Sequence, residues 1–256
     1  MARLFGGRAL SEALMHVSSF VYTPKFDFPT RREKPAIELM VASVPRSGST
    51  AFCFELWRTG LLGAPLEYAN LRLMKRQLRW KKSLRSELRY WSILQRVRTS
   101  PNGVFSYKFF VQDYNGLLQG APKLIPRIAP THVIYFTRKD KVAQAVSYSK
   151  AVKSGRWFAT ERGDNHPDYE REHVERFLNS VKQQESAWES IFRDTESVVF
   201  RTTYEELLVD RRGVVDRVLA HVLGSSDRSS PLNIPELSIQ RDENSRDWLE
   251  RFESGM

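Results

Sequence analysis

An α/β fold with a doubly wound, mostly parallel sheet flanked by helices is predicted by three features of this 256-residue sequence. The run Ile37 to Val44 is nearly continuous in apolar residues, the pattern of a strand buried on both faces of a parallel sheet. Pro45 stops it, a short polar turn follows, and Thr50 to Thr59 then reads as a helix closed by Gly60. Strand-like and helix-like segments keep alternating along the rest of the chain, the order of βα units in an open sheet.

The later elements follow from the same reading. Val104 to Phe110 and Thr131 to Thr137 are the second and third strand candidates. Asp140 is placed to cap a helix running to Lys153, because its carboxylate can accept an otherwise unpaired N–H of the first turn. Tyr169 to Arg193 is a long helix with Val174, Phe177, Val181, Trp188 and Ile191 as its apolar positions. Ser197 to Arg201 is a short strand and Val214 to Leu223 a further helix. These elements divide the chain into an N-terminal extension, 1–35, and one domain, 36–256, interrupted by a basic helical insertion at about 71–98.

Composition narrows the class. One cysteine, Cys53, allows no intramolecular disulfide and offers no zinc spacing, so no metal is expected and a reducing, cytoplasmic setting is the default. No run of roughly 18 apolar residues is available to span a membrane. The first 22 residues lack the apolar centre of a secretory signal and read as a surface helix or an ordered arm. The net charge is +10, but it is concentrated: Leu71 to Arg98 holds ten Arg and Lys residues against the single acid Glu87. In that segment Leu73, Trp80, Leu84, Leu88, Trp91 and Leu94 share one helical stripe, leaving most basic residues on the other face. Two readings stand. One is a solvated charged helix packed on the domain or on a second subunit, as in a homodimer. The other is a basic face that recruits an anionic acceptor, or an anionic membrane surface that would make the protein peripheral. No specific nucleic-acid partner is expected, and a noncatalytic binder of nucleic acid or anionic membrane through this segment is a third reading.

The turn after the first strand is Pro45-Arg46-Ser47-Gly48-Ser49-Thr50. A helix N-terminus there exposes N–H groups and a partial positive charge, which favours an anion. Gly48 lets the backbone approach a ligand, Ser49 and Thr50 add hydroxyls, and Arg46 adds a fixed charge. The turn has neither the first Gly nor the Lys of the Walker motif G-x-x-x-x-G-K-S/T, which weakens a nucleotide-hydrolysing reading. An ordinary capped turn would look much the same.

A second segment, Arg138-Lys139-Asp140-Lys141-Val142-Ala143-Gln144-Ala145-Val146-Ser147-Tyr148, begins at the end of the third strand. Together the two segments resemble the sulfonucleotide motifs of sulfotransferases, a P-loop-like family. One motif is Pro-Lys/Arg-Ser-Gly-Ser/Thr-Thr after the first strand; the other is a strand-end Arg followed at a short distance by Ser. The resemblance implies 3′-phosphoadenosine-5′-phosphosulfate as donor. It puts Arg46, Ser47, Gly48, Ser49 and Thr50 at the 5′ end, and Arg138 and Ser147 on the 3′-phosphate. The wording from Arg138 to Trp157 is most similar to the bacterial trehalose 2-sulfotransferase family. Gly63 to Tyr68, Gln184-Glu185 with Trp188, Tyr204 to Leu207 and Arg241 to Phe252 add to it. The likeness runs from about Val41 to Phe252 and departs at Asn70 to Arg98, which leaves trehalose itself open as the acceptor.

Sulfuryl transfer needs a base for the acceptor hydroxyl and charge stabilisation on the leaving phosphate. The Lys-x-His of cytosolic sulfotransferases is broken here, because Lys108 is followed by Phe109 and Phe110. His16, His132, His166, His173 and His221 match no such motif. The trehalose-type resemblance implies Glu67 as the base; without it Glu67 reads as a surface carboxylate. Arg46 is the candidate for the leaving phosphate. Lys108 could assist at the substrate or be a strand-edge lysine, and Trp157 could stack on a sugar or fill a rim. Arg241 could reach the nucleotide, and Cys53 reads as packed. The expected function is thus transfer to a sugar, glycolipid or polysaccharide hydroxyl. A nucleotide-dependent kinase and a noncatalytic binder of anions or membrane surfaces are the alternatives.

Overall fold

A computed structural model describes residues 20–80, 86–157, 167–226, 232–234 and 243–255. Four strands form one parallel sheet: β1 (Ile37–Ser43), β2 (Val104–Phe110), β3 (His132–Thr137) and β4 (Val198–Thr203). Their spatial order is β2-β1-β3-β4, so the chain winds from β1 to one side and then crosses to the other. The doubly wound α/β sheet read from the sequence is the one found. In such a sheet the carboxyl end of β1 lies at the switch point where ligands bind.

The helices are α1 (Ser49–Arg58), α2 (Leu71–Trp80), α3 (Glu87–Val97), α4 (Val111–Gly120), α5 (Lys141–Ser154), α6 (Arg171–Arg193), α7 (Tyr204–Val209), α8 (Arg211–Leu223) and α9 (Glu243–Glu253). The chain divides into two compact units. The larger comprises Phe28–Lys139 and Val181–Glu236 and holds the whole sheet. On one face Leu39, Val41, Ile134 and Phe136 pack against Phe52, Cys53 and Leu56 of α1 and Val214, Val215 and Val218 of α8. On the other face Phe105 and Tyr107 stand edge-on to Trp91 of α3, at 5.4 and 5.2 Å between ring centroids. Trp188 meets Phe109 there and donates its indole N–H to the carbonyl of Ser43 at 2.9 Å. Burial on both faces explains why the strands read as apolar runs.

The smaller unit comprises Met1–Asp27, Asp140–Ser180 and Leu237–Met256. Asp140 caps α5 as expected, its carboxylate accepting the Ala143 N–H at 2.8 Å. Ala145 and Val146 of α5 pack with Val174 of α6 and Trp248 of α9. His173 is held on Ser149 at 2.6 Å, a packing role.

Three features differ from the sequence reading. The basic segment is two helices, not one, with Ser86 accepting the Arg89 N–H as the cap of α3. Among its described side chains the buried apolar ones are Met74, Tyr90 and Trp91, while Leu73, Leu88 and Leu94 are only half-buried. Trp80 and Leu84, which the stripe also used, have side chains outside those described. Arg98 leaves the basic face altogether: it is buried, with its guanidinium 5.7 Å from the Trp57 ring. Finally, α4 was not expected, because VQDYNGLLQG is rich in residues that disfavour a helix. Its Gly120 has a tertiary reason, since Leu71 of α2 lies so close that a Cβ there would fall 2.5 Å from the leucine's methyl carbon.

Candidate functional site

The loop after β1 has the backbone of an anion cradle. Arg46 is left-handed at φ +64° and Gly48 at φ +89°, and alternation of this kind turns loop N–H groups toward one point. A left-handed arginine is strained, and such strain persists where the surroundings over-determine it. Gly48 is doubly required, because a Cβ would also lie 2.5 Å from Cδ2 of Tyr204. Ser47 is fully buried, and its hydroxyl has no hydrogen-bond partner among the described residues. A buried hydroxyl left in that state fits a group that accepts its proton from outside the chain. These residues suit a phosphate or sulfate group.

A lysine joins this loop to a carboxylate. Lys108 Nζ lies 2.7 Å from Thr50 Oγ1 and 2.7 Å from Glu67 Oε1. Its side chain is 3% exposed and that of Glu67 24%. Glu67 is held there by its neighbours. Leu66 bridges to Tyr107 and accepts the Lys108 N–H at 2.9 Å, and buried Tyr68 donates its hydroxyl to the Ala64 carbonyl at 2.8 Å. Gly63, at φ +68°, allows the segment to press on β2, where a Cβ would come 2.8 Å from the Val104 carbonyl oxygen. Glu67 is therefore a held, part-buried carboxylate, and Lys108, although it stands on the edge strand β2, is buried.

At the end of β3 the Arg138 guanidinium lies 5.1 Å over the Tyr204 ring. The next residue is clipped too, with both oxygens of Glu205 accepting the Lys139 N–H at 3.0 and 2.9 Å. Tyr204 thus touches both the loop after β1 and the strand-end arginine. Ser147, half-buried on α5, and Trp157, edge-on to Tyr148 at 6.1 Å, belong to the smaller unit. Arg241, His16 and His166 lie outside the described residues.

Comparison with known proteins assigns the chain. A model of the Stf0 sulphotransferase family matches residues 38–255. The chain belongs to the Stf0 sulphotransferase family. Its relatives include a trehalose 2-sulfotransferase of Mycolicibacterium smegmatis, 26% identical over 262 residues, covering 86% of this chain and 95% of the relative. A trehalose 2-sulfotransferase of Mycobacterium tuberculosis is 25% identical, covering 83% of this chain and 93% of its own. Among solved structures, a sulfotransferase from Alicyclobacillus acidocaldarius aligns with a TM-score of 0.44 and 14% identity, over 85% of this chain and 91% of that one.

In this Stf0 chain two residues stand out that the sequence reading left without a role. Tyr204 was noted only as part of a similar stretch, and its contacts with Gly48 and Arg138 arise from tertiary packing. Asp113 was not singled out. It is buried at the start of α4 and accepts the Phe110 N–H at 3.0 Å. Burial first, and the nearby Glu67 second, push its carboxyl up to about 7. Cys53 behaves as expected: burial pushes its thiol up to about 12, which suits packing rather than nucleophilic chemistry. Among the described residues no group of three or more His, Cys, Asp or Glu side chains could hold a metal ion. Among them, too, no helix is long and apolar enough to cross a membrane.

Proposed function

We propose that this Stf0 sulphotransferase moves a sulfuryl group from 3′-phosphoadenosine-5′-phosphosulfate to a sugar hydroxyl. Glu67 takes the acceptor proton, and Arg46 stabilises charge on the leaving phosphate. The observation that carries the proposal is Lys108, whose ammonium touches the phosphate loop at Thr50 and the carboxylate of Glu67 at once. A base within one side chain of an anion cradle puts acceptor and donor within reach of each other, and positioning of that kind is the main part of such catalysis. The buried hydroxyl of Ser47 and the left-handed loop suit the 5′-phosphosulfate end. The names of the mycobacterial relatives support a carbohydrate acceptor. Family membership weighs against a kinase and against a purely binding role.

For the 3′-phosphate the sequence likeness supplies Arg138 and Ser147. We expect Arg138→Ala to weaken binding of 3′-phosphoadenosine-5′-phosphate by about 1.5–3 kcal/mol, the loss of a charge-assisted hydrogen bond. Adenosine 5′-phosphate, lacking that phosphate, should bind the variant and the wild type alike. Calorimetry with the two nucleotides checks this. Equal losses for both would remove Arg138 from the 3′ position.

The basic segment bears on the acceptor. Arg72, Lys75, Arg89 and Arg96 are exposed on α2 and α3, and such charges suit an anionic glycoconjugate or membrane surface. The acceptor's KM should then rise with salt near and above about 0.1 M, where the Debye length is about 10 Å. Changing Arg76, Arg79, Lys82 and Arg85 together to Gln should also raise it and leave donor affinity alone; those four side chains lie outside the described residues. An acceptor KM unmoved by either leaves the segment a structural role.

A further inference from the structure

Lys108 and Glu67 do not form a closed pair, because a second carboxylate shares their surroundings. Chain geometry brings it there: β2 ends at Phe110, α4 begins at Val111, and Asp113 turns back to accept the Phe110 N–H at 3.0 Å. Phe110 is also the ring over which Lys108 Nζ lies, 5.2 Å from its centroid. Asp113 is 5% exposed, and Glu67 and Lys108 are the charged groups that act on it. Other charges on the elements packed against α4 are basic among the described residues: Arg72 and Lys75 on α2, Lys123 and Arg127 in the turn that follows. With all three groups ionised, the cluster of Lys108, Glu67 and Asp113 carries a net negative charge beside Thr50, where the anionic donor has to sit.

We propose that Asp113 is a positioning and charge-balancing residue of the sulfuryl-transfer site, taking up a proton as the donor binds and so leaving Lys108 and Glu67 paired beside it. It rests on the donor assignment made above. Asp113 does not touch the reacting atoms. The sign follows from linkage. Its carboxyl titrates at about 7 in the free protein, and an anion arriving at Thr50 favours the neutral form further. Donor binding is therefore coupled to proton uptake, and donor affinity falls as pH rises through and above that value. The coupled loss has a ceiling of tenfold per pH unit.

The test is calorimetry of 3′-phosphoadenosine-5′-phosphate binding between pH 6 and 9, in buffers of different ionisation enthalpy, on wild type and Asp113→Asn. The Asn amide oxygen still accepts the Phe110 N–H, so the turn into α4 is kept while the charge is removed. Titration of the nucleotide's own phosphates cancels in the comparison. Wild type should take up more protons than the variant, by a margin of up to about three quarters of a proton per site near pH 7.5, and should lose affinity more steeply with pH. Equal proton uptake with parallel pH profiles overturns the role. Carbon NMR of wild type labelled at the aspartate carboxyls gives an answer that does not depend on the variant's folding. One resonance should titrate near 7 and move upward when the nucleotide is added, and absence of any such resonance also overturns it. Absence of nucleotide binding to wild type is a different result, which sinks the donor assignment itself.

Discussion

Glu67→Gln should leave 3′-phosphoadenosine-5′-phosphate binding close to wild type and lower turnover by roughly two to four powers of ten, the usual reach of general base catalysis. The substitution keeps the size of the side chain and an oxygen that can accept from Lys108, now 2.7 Å away, but removes the ability to take a proton. A purely structural ion pair predicts something else. Losing one charge of a pair that holds a buried lysine destabilises the fold and disturbs the Thr50 contact, so donor affinity and thermal stability would fall together while single-turnover chemistry survived. Measuring donor affinity, melting temperature and the single-turnover rate on one preparation separates the two. A variant that retains nearly full turnover where chemistry limits the rate would show that the base is another group.

Most of the sheet was legible in the sequence, because its strands are covered on both faces and their apolar runs record that. The bounds of β2 were read residue for residue, and β1, α1 and α5 to within a residue or so. What escaped was set by tertiary contacts. Helix α4 forms against its own propensity, and Gly120, which lowers that propensity, sits where Leu71 leaves no room for a Cβ. Arg98 looks like one more charge in a basic run, yet it is buried with its guanidinium beside the ring of Trp57. At the site, the turn from Pro45 to Thr50 could be seen as the junction of β1 and α1, and the left-handed Arg46 and Gly48 lie inside it. Lys108 was ambiguous, because its two partners come from segments 58 and 41 residues distant in the chain. Asp113 was invisible for a similar reason: an aspartate near a helix start has an ordinary capping role, and only the fold brings Glu67 and Lys108 to it. Tyr204 likewise acquires meaning from Gly48, far behind it in sequence.

That last contact yields the second large effect. Gly48→Ala should weaken binding of 3′-phosphoadenosine-5′-phosphate by at least about a hundredfold, about 2.7 kcal/mol or more at about 1.4 kcal/mol per factor of ten. Two costs combine. A left-handed residue with a Cβ costs about 1–2 kcal/mol, and here φ is +89°. The new methyl would also sit 2.5 Å from Cδ2 and 2.9 Å from Cε2 of Tyr204. That ring is 9% exposed and lies beneath the Arg138 guanidinium, so moving it disturbs the strand-end arginine along with the loop. Gly224→Ala is the control for backbone strain alone. Gly224 has φ +71°, but a Cβ there would meet nothing within 4 Å. It should cost stability of the same order from its backbone and leave nucleotide affinity unchanged. Removing the ring in Gly48→Ala/Tyr204→Ala relieves the collision but not the strain, so the double variant should bind more tightly than Gly48→Ala alone only if the ring opposes the methyl more than it supports Arg138. Affinity in Gly48→Ala indistinguishable from that in Gly224→Ala would mean that the loop after β1 does not cradle the nucleotide.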